Sequence, residues 1–451
     1  MNLGEVKRVY FLGIGGIGMS SLARYFKKQG AQVSGYDKTP SSLTEELVKE
    51  GISVHCNESI EQIDTTADLY VYTPAIPKTH QAFAAVTNQG GEWYKRSQVL
   101  QWITEQAKTI AISGTHGKTT TSAFLTHIMH QVQGNISGFV GGVMTNYDSN
   151  LIASDNSEFI VVEADEYDKS FLRLKPEIAV VTSLDPDHLD IYGTFDQMKA
   201  DYRTFAKSAE KLLVHQRLLN EFPGSITYSC DDVKADYFAD NISVHESLFH
   251  FNVTHKSEVI GRFESQLPGK HNVENALAAI SIAHIIGLDM NLVVKAIASF
   301  RGVHRRFERV FESARVRLVD DYAHHPIEIN AAISAARDLY PDTNITVVFQ
   351  PHLFTRTRDL EDDFVESLNQ ADQVILLPIY PAREEPIDGV SSENLLNKLS
   401  LKTKLLVEKT DVSKAVLSLS SETVLVLGAG DIDRCVDSLA RTLEDWSKNV
   451  E

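Results

Sequence analysis

The chain has 451 residues, with 43 lysines and arginines against 61 aspartates and glutamates, a formal net charge of −18 at pH 7. Nucleic acid and an anionic membrane surface are not expected as partners, because both are polyanions. The 3 cysteines are widely separated, which excludes a disulfide framework or a zinc knuckle. No apolar run approaches the roughly 20 residues that a membrane span needs. At roughly 150 residues per domain the length predicts about three domains, and the absence of a signal-peptide pattern after Met1 favours the cytoplasm.

The chain opens with a glycine-rich turn between two predicted strands. Residues 8–12 predict a strand, Gly13-Ile-Gly-Gly-Ile-Gly18 predicts the turn, and residues 19–29 predict a helix. A second strand over 32–36 ends at Asp37, and this acid lies about twenty residues beyond the glycines. The pattern is that of a nucleotide-binding βαβ unit, whose turn and helix start favour an anion. The candidate ligand-binding residues here are Gly15, Gly16, Ile17, Gly18 and Asp37.

A phosphate-binding loop is predicted in the second segment, between an apolar strand and a helix. Gly114 and Gly117 let the backbone turn with its N–H groups inward, where the helix dipole also favours an anion. Lys118 is expected on the β- and γ-phosphates of ATP, and the Thr119 hydroxyl on Mg²⁺. Ile112 stands where the usual loop has its first glycine, so this is a shortened variant; the alternative is an ordinary turn with an incidental lysine. The candidate nucleotide-binding residues are Gly114, Thr115, His116, Gly117, Lys118, Thr119 and Thr120.

Acidic clusters follow the next two predicted strands of this segment. Glu163 comes directly after a strand, where nucleotide-hydrolysing folds place a carboxylate that directs Mg²⁺, and we prefer it over the acids that follow it. His188 lies in the cluster after the second strand. Because parallel strands end at one edge of a sheet, we expect His188 near Glu163 as a ligand of a divalent ion. A solvated acidic turn and a structural histidine are the alternatives.

Two polar clusters follow strands of the third segment. The first is Asp320-Asp-Tyr-Ala-His-His-Pro326, and the second is Gln350-Pro-His-Leu-Phe-Thr-Arg-Thr-Arg358, with His304-Arg-Arg306 upstream of both. On a chain this acidic, loops rich in histidine and arginine predict a site for carboxylates and phosphates, although each cluster alone could form a surface network. Near the junction before this segment, His271 and Asn272 begin a helix, and Asn272 reads equally as a helix cap or as a ribose or base contact.

The strand and helix pattern predicts an α/β protein of three domains. Residues 1–97 predict a Rossmann-like domain, residues 98–301 a P-loop ATPase-like domain with a mixed sheet, and residues 302–451 a second Rossmann-like domain with a parallel sheet. Alternating residues between 225 and 263 predict a small antiparallel addition to the central sheet. Gly428-Ala-Gly430 after the last strand is a weak signal, because such turns are common.

Taken in order, these motifs resemble those of the Mur ligase family, essentially end to end. The motifs that carry the resemblance are Gly13–Ser20, Gly114–Thr120, Glu163–Glu166, Asp187-His188, Lys270–Asn272, Arg305–Phe307, Asp320–Pro326, Gln350–His352 and Thr355–Thr357. The resemblance implies an ATP-dependent ligase that joins L-alanine to the lactyl carboxylate of UDP-N-acetylmuramate through an acyl phosphate, in peptidoglycan precursor synthesis. It implies that the first domain holds the UDP part of the substrate, the second ATP and Mg²⁺ (with Mn²⁺ as an alternative metal), and the third the amino acid.

The resemblance also implies roles for individual residues. Around the metal it implies Thr119, Glu163 and His188, and on the nucleotide the phosphate-binding loop with His271 and Asn272. It implies Arg306 near the transferring phosphoryl group, with Lys118 on the phosphates. Around the alanine and the acyl group it implies Tyr322, His324, His352 and Arg356, with His324 or His352 as the general base. The expected partners are the two small-molecule substrates alone, and the expected assembly is a monomer or a weak homodimer.

Two positions depart from the family pattern. Arg203 stands fifteen residues after His188, where ligases that add later amino acids often carry a carbamoylated lysine, and this favours the alanine-adding branch. Leu353 follows His352, where some alanine-adding members have an arginine. Arg356 or Arg358 must then carry more of the alanine carboxylate.

Three other functions are alternatives. A ligase that reattaches recycled tripeptide to UDP-N-acetylmuramate shares the Gly-Lys-Thr loop and a region like Asp320–Pro326, but the first glycine loop, Gly13–Ser20, favours free alanine. A nicotinamide-dependent oxidoreductase would use Gly13–Gly18 and Asp37, yet it leaves Lys118 and Glu163 unexplained. A non-catalytic nucleotide switch leaves the clusters of the third segment unexplained.

Overall fold

The structure is a computed structural model that describes residues 3–186, 189–382 and 384–449. It divides into two compact units. The first spans residues 1–240, 252–263 and 274–300, and the second spans residues 241–251, 264–273 and 301–451. In the described part of the chain, no helix is long and apolar enough to cross a membrane.

The first unit begins with a parallel sheet covered by helices. Its elements are β1 Arg8–Leu12, α1 Ile17–Lys28, β2 Gln32–Tyr36, α2 Ser42–Lys49, β3 Ser53–His55, β4 Leu69–Tyr72, α3 Gln81–Thr87, β5 Trp93–Lys95 and α4 Arg96–Thr104. The 5-stranded sheet has the order β3-β2-β1-β4-β5, and every neighbouring pair is parallel. The order reverses beside β1, as it does where Rossmann-like folds bind nucleotides.

A larger sheet follows. Its elements are β6 Lys108–Ser113, α5 Lys118–Val132, β7 Ile136–Met144, β8 Ser149–Ile152, β9 Phe159–Glu163, β10 Ile178–Val181, α6 Leu189–Tyr192, α7 Phe195–Lys207, β11 Lys211–His215, β12 Ile226–Ser229, β13 Tyr237–His245, β14 Leu248–His255, β15 Glu258–Ser265, α8 Lys270–Ile285 and α9 Met290–Ser299. The 10-stranded sheet has the order β15-β14-β13-β12-β11-β10-β6-β9-β7-β8. Two-residue turns with positive φ at 246–247 and 256–257 join β13, β14 and β15, as expected for tight antiparallel hairpins.

Strands β7 and β8 were not predicted. β7 pairs parallel with β9 and antiparallel with β8, so the sheet is mixed. Three glycines interrupt the apolar pattern of Ile136–Met144, and glycine weakens the sequence signal of a strand. The strand nevertheless forms because it is held between β9 and β8 and packs on α5.

Helix α1 of the first sheet contacts the β7–β8 hairpin through a buried arginine. The Arg24 side chain is 5% exposed and lies 2.7 Å from Glu50. Its Nη1 donates to Asn150 Oδ1 at 2.6 Å, and Asn150 Nδ2 donates to the Ile17 carbonyl at 2.6 Å. Lys28 at the end of the helix donates to the Ala153 carbonyl. These contacts tie the two sheets of the first unit together.

The second unit contains the last sheet. Its elements are β16 Glu308–Glu312, β17 Arg317–Asp321, α10 Pro326–Leu339, β18 Ile345–Phe349, α11 Phe354–Asp359, α12 Glu361–Leu368, β19 Gln373–Leu376, α13 Ser392–Lys398, β20 Thr403–Leu406, α14 Val412–Ser418, β21 Thr423–Leu427 and α15 Val436–Asn449. The 6-stranded sheet has the order β16-β17-β21-β18-β19-β20. The parallel sheet predicted here is wrong in one respect, because β16 pairs antiparallel with β17 at the edge. That edge strand is half-buried and charged, so its apolar pattern is weak.

The predicted α/β class, with three domains and mixed or parallel sheets, is confirmed. The boundaries at 97 and 301 stay predictions. Buried apolar residues pack on both faces of the last sheet, in two clusters that include Val319 and Phe349 on one face and Leu318 and Val348 on the other.

We expect Arg24→Ala to lower the free energy of unfolding by about 2–3 kcal/mol, because Asn150 Oδ1 would be left buried without a donor and a charge-assisted bond would be lost. Arg8→Ala is the matched control, since Arg8 is 41% exposed and pairs with Asp64 at 2.8 Å. Such a pair contributes about 0–1 kcal/mol. Urea denaturation of both variants measures the difference. Equal losses of unfolding free energy in the two variants would show that the buried Arg24–Asn150 contact stabilises the protein no more than the exposed Arg8–Asp64 pair.

Candidate active site

The predicted phosphate-binding loop joins β6 to α5. Gly114 has φ 136° and Gly117 has φ 83°, a region of backbone conformation that favours glycine. A Cβ on Gly114 would lie 2.1 Å from Thr182 Oγ1, so no larger residue fits there. Helix α5 begins at Lys118, directly after the loop. Its first amides therefore face the loop, as an anion site requires.

The residues between the two glycines are held by the chain after β10. Thr115 Oγ1 lies 2.8 Å from Ser183 Oγ, and the His116 amide donates to that same Ser183 oxygen at 2.7 Å. Thr182 donates to the His116 carbonyl. Thr120 is buried in the first turn of the helix. These contacts fix the loop backbone, and they use the amides of Thr115 and His116, both of which donate to Ser183.

Lys118 is engaged inside the loop. Its Nζ donates to the Gly114 carbonyl at 2.6 Å and lies 2.8 Å from Glu166 Oε1. Burial by itself would lower the pKa of Lys118, but the charges of Glu166, Glu163 and Asp165 outweigh burial and raise it, so the ammonium stays charged. Glu166, 1% exposed, is a contact that the sequence did not reveal, because three acids follow β9 in close succession and only the fold shows which one turns to the lysine.

Thr119 and Glu163 lie together, as predicted. Thr119 Oγ1 donates to Glu163 Oε1 at 3.0 Å, and the Gly141 amide donates to Glu163 Oε2 at 2.9 Å. A Cβ on Gly141 would lie 2.2 Å from that carboxylate oxygen. A hydroxyl and a carboxylate are hard oxygen ligands that fit Mg²⁺. His188, the third predicted ligand, lies outside the described residues, and among those described no three His, Cys, Asp or Glu residues form a metal cluster.

The glycine turn of the first sheet brings its predicted residues together. The Gly15 amide donates to Asp37 Oδ2 at 2.8 Å, which connects the ends of β1 and β2. Helix α1 begins at Ile17 with Gly16 as its N-cap. A Cβ on Gly18 would lie 2.7 Å from the Arg96 guanidinium, so this glycine permits close packing. Asp37 therefore braces the turn.

In the second unit, the predicted histidines and arginines converge after β17 and β18. The rings of His324 and His352 are 6.1 Å apart, and Arg356 Nη1 lies 3.3 Å from His352 Nδ1. The Arg306 guanidinium lies 5.2 Å from the centre of the Tyr322 ring, whose own centre is 5.4 Å from His324. Burial lowers the pKa of His324 and lowers that of His352 to about 4, so both imidazoles are neutral at pH 7.

The backbone conformation of Leu353 sets the direction of the chain between His352 and α11. Leu353 has φ 73°, a conformation that a leucine rarely adopts and that local contacts must hold. Its amide donates to the Tyr380 carbonyl at 2.9 Å, and its carbonyl accepts from Thr357 Oγ1 at 2.8 Å. The Tyr380 ring stacks on His352, with centres 5.7 Å apart. Sequence reasoning missed Tyr380, because nothing beyond its position after β19 marks it.

At the start of α8, Asn272 stabilises the preceding loop. Asn272 Nδ2 donates to the Pro268 carbonyl at 2.7 Å, within the second unit. Its neighbour His271 packs against Gly269, where a Cβ would lie 2.6 Å from the ring. In the first unit, Asn275 Oδ1 accepts from Thr121 Oγ1 at 3.2 Å beside the phosphate-binding loop. The nucleotide contact implied for His271 and Asn272 stays a prediction.

We expect Gly141→Ala to weaken Mg²⁺ binding in the presence of ATP roughly 10- to 150-fold, because the displaced Glu163 carboxylate loses a charge-assisted hydrogen bond worth about 1.5–3 kcal/mol. Calorimetric titration with Mg²⁺ measures this. ATP binding in the presence of a chelator is the internal control and should not change. The methyl group that Gly141→Ala introduces lies against the Glu163 carboxylate and does not touch the amides of the phosphate-binding loop. A Mg²⁺ titration identical to that of the parent would contradict the placement of Glu163.

Family models match three consecutive parts of the chain. The Mur ligase family catalytic domain matches residues 8–108, the Mur ligase middle domain matches residues 112–283, and the Mur ligase glutamate ligase domain matches residues 305–430. Two relatives, both UDP-N-acetylmuramate–L-alanine ligases, are 44% identical. One, from Flavobacterium johnsoniae, aligns over 99% of this chain and 100% of its own length. The other, from Porphyromonas gingivalis, aligns over 97% of this chain and 99% of its own length.

Solved structures agree. The crystal structure of UDP-N-acetylmuramate-alanine ligase MurC from Thermotoga maritima has a TM-score of 0.85 and 27% identity, covering 98% of this chain and 100% of that chain. A murein peptide ligase from Psychrobacter arcticus has a TM-score of 0.71 and 23% identity, and the match covers 97% of this chain and 98% of that chain. At this identity the match shows only that the fold is shared. Family models, full-length relatives and the fold lead to the same conclusion: the chain belongs to the Mur ligase family.

Proposed function

We propose that this chain is an ATP-dependent ligase that forms the amide bond between L-alanine and the lactyl carboxylate of UDP-N-acetylmuramate. The observation that carries the proposal is the 44% identity, over 99% of the chain, to a UDP-N-acetylmuramate–L-alanine ligase. The geometry supports the same chemistry, because Thr119 lies beside Glu163 in the first unit, and His352 lies beside His324 and Arg356 in the second. We also propose domain limits at residues 97 and 301.

In the proposed reaction, the lactyl carboxylate attacks the γ-phosphorus of ATP, the bond to the β–γ bridging oxygen breaks, and the products are an acyl phosphate and ADP. The amine of L-alanine then attacks the acyl carbon, and the tetrahedral adduct collapses to the amide and phosphate. Several anions must be held close together, which requires fixed positive groups in a site with little water. Lys118 and Arg306 are the residues we propose for this task.

Lys118 must exchange partners when the nucleotide binds. In the structure its ammonium lies between the Gly114 carbonyl and Glu166. We propose that it moves to the phosphates, because a triphosphate carries more charge than one carboxylate at a similar distance. Thr119 and Glu163 would hold Mg²⁺, which when bound neutralises charge on the transferring phosphate.

We assign the alanine carboxylate to Arg356. Its Nη1 lies 3.3 Å from Nδ1 of His352, and Leu353, with its φ of 73°, is the N-cap of the helix α11 that carries Arg356. Arg358 is half-exposed and engaged with its neighbour Asp359 at 2.7 Å. A planar guanidinium meets a carboxylate with two parallel hydrogen bonds, so Arg356 fits the role better than a point charge.

We expect the purified chain to release phosphate from ATP only when UDP-N-acetylmuramate and L-alanine are both present. A coupled phosphate assay with each substrate omitted in turn measures this. The recycled tripeptide in place of alanine is the discriminating substrate. Phosphate release with the tripeptide but none with alanine would assign the chain to tripeptide recycling instead.

We expect Arg356→Ala to raise the KM for alanine roughly 30- to 150-fold, from the loss of about 2–3 kcal/mol of charged hydrogen bonding. The KM values for ATP and UDP-N-acetylmuramate should change far less, and Arg356→Lys should recover part of the loss. Arg358→Ala is the matched control and should change the KM for alanine by less than about fivefold. A defect confined to ATP would move Arg356 to the phosphate side.

A further inference from the structure

The ring of His324 is held on one side by two hydrogen-bond acceptors. Its Nδ1 lies 2.9 Å from the Tyr322 carbonyl oxygen and 3.3 Å from Glu328 Oε2. A carbonyl and a carboxylate can only accept, so Nδ1 must carry the hydrogen. In a neutral imidazole the other nitrogen, Nε2, then carries the lone pair.

The neighbouring histidine has the opposite arrangement. His352 Nδ1 lies 3.3 Å from Arg356 Nη1, and a guanidinium can only donate. Nδ1 of His352 therefore accepts, and in the neutral ring Nε2 carries the hydrogen. Two imidazoles with centres 6.1 Å apart thus present different atoms: a lone pair on His324 and an N–H on His352.

Glu328 is placed by the start of α10 rather than by a ligand. His325 is the N-cap of this helix, and Glu328 completes a capping box with it. Glu328 Oε2 also accepts from the His324 amide at 3.0 Å. The same carboxylate that begins the helix therefore holds both the backbone and the ring of His324.

Building on the proposed function, we propose that Glu328 is a positioning residue that holds His324 with its lone pair on Nε2, and that His324, not His352, accepts the proton from the ammonium of L-alanine. In this step one N–H bond of alanine breaks and the proton moves to Nε2 of His324. The neutral amine then forms the N–C bond. On collapse the C–O bond to phosphate breaks, the departing phosphate takes the second proton, and His324 returns its proton to solvent. His352 donates Nε2–H to a substrate oxygen.

The charges that face His324 set the direction of its pH dependence. They are Glu328 on α10, Arg356 on α11 and Arg306 before β16, with His352 beside the ring. Burial lowers the pKa of His324 most, Glu328 raises it, and the two arginines lower it. Removing the charge of Glu328 must therefore lower this pKa further, which makes a weaker base that stays unprotonated to a lower pH.

The test compares pH profiles of kcat/KM for alanine in the parent, Glu328→Gln and Glu308→Gln. The glutamine keeps an oxygen for the capping box but removes the charge, so in Glu328→Gln the acid limb should move down by about one pH unit and the plateau should fall on the order of tenfold. Glu308→Gln is the matched control, because Glu308 forms the same i,i+4 pair with His304 at 2.7 Å, and its acid limb should stay in place. A Glu328→Gln profile that overlays the parent would overturn the proposal. A parent without alanine-dependent phosphate release would instead refute the proposed function.

A second measurement does not depend on the folding of Glu328→Gln or on activity. Nitrogen NMR of the parent labelled at histidine reports which ring nitrogen carries the hydrogen, and His324→Gln and His352→Gln assign the two signals. We expect the hydrogen on Nδ1 of His324 and on Nε2 of His352. Finding it on Nε2 of His324 would overturn the assignment. In activity assays, His324→Gln should lose the acid limb, whereas His352→Gln should lose rate and retain it.

Discussion

The constraint on which this structure depends is that parallel strands end at one edge of their sheet. In the first sheet, that edge carries the glycine turn after β1 and Asp37 after β2, joined by the Gly15 amide. In the central sheet, it carries the phosphate-binding loop, Glu163 and the residues that brace the loop from β10. In the last sheet, it carries the clusters after β17 and β18. Hydrogen bonding of the backbone thus assembles side chains that are far apart in sequence.

The net charge of −18 limits which ligands can bind at these sheet edges, because it repels anions. Anionic substrates are attracted only where positive groups are held locally. Lys118 is kept charged by carboxylates, and its contact with Glu166 holds it inside the loop. In the second unit, arginines supply the charge and burial keeps the histidines neutral. Neutral imidazoles can exchange a proton with substrate without adding to the charge of the site.

Buried polar contacts determine which parts of the first unit stay together. Arg24 and Asn150 join a helix of the first sheet to a hairpin of the central sheet, where both groups are nearly fully buried. Such contacts are specific, because a shifted helix would leave several polar atoms without partners. The glycine turn and the phosphate-binding loop are therefore carried by one compact unit.

The sequence by itself determined the strand–loop–helix order, the α/β class, the glycine loops and the family, because these depend on short-range patterns and on the order of motifs. It also placed Thr119 with Glu163, which follow the neighbouring strands β6 and β9, and His324 with His352, which follow the strands on either side of β21. Only the tertiary structure selected Glu166 as the partner of Lys118, because several acids in succession have the same local pattern. It alone revealed the glycine-rich strand β7, which forms only between its neighbours. The hydrogen positions on the two histidines also depend on which carbonyl, carboxylate or guanidinium each ring meets, and the sequence does not encode that locally.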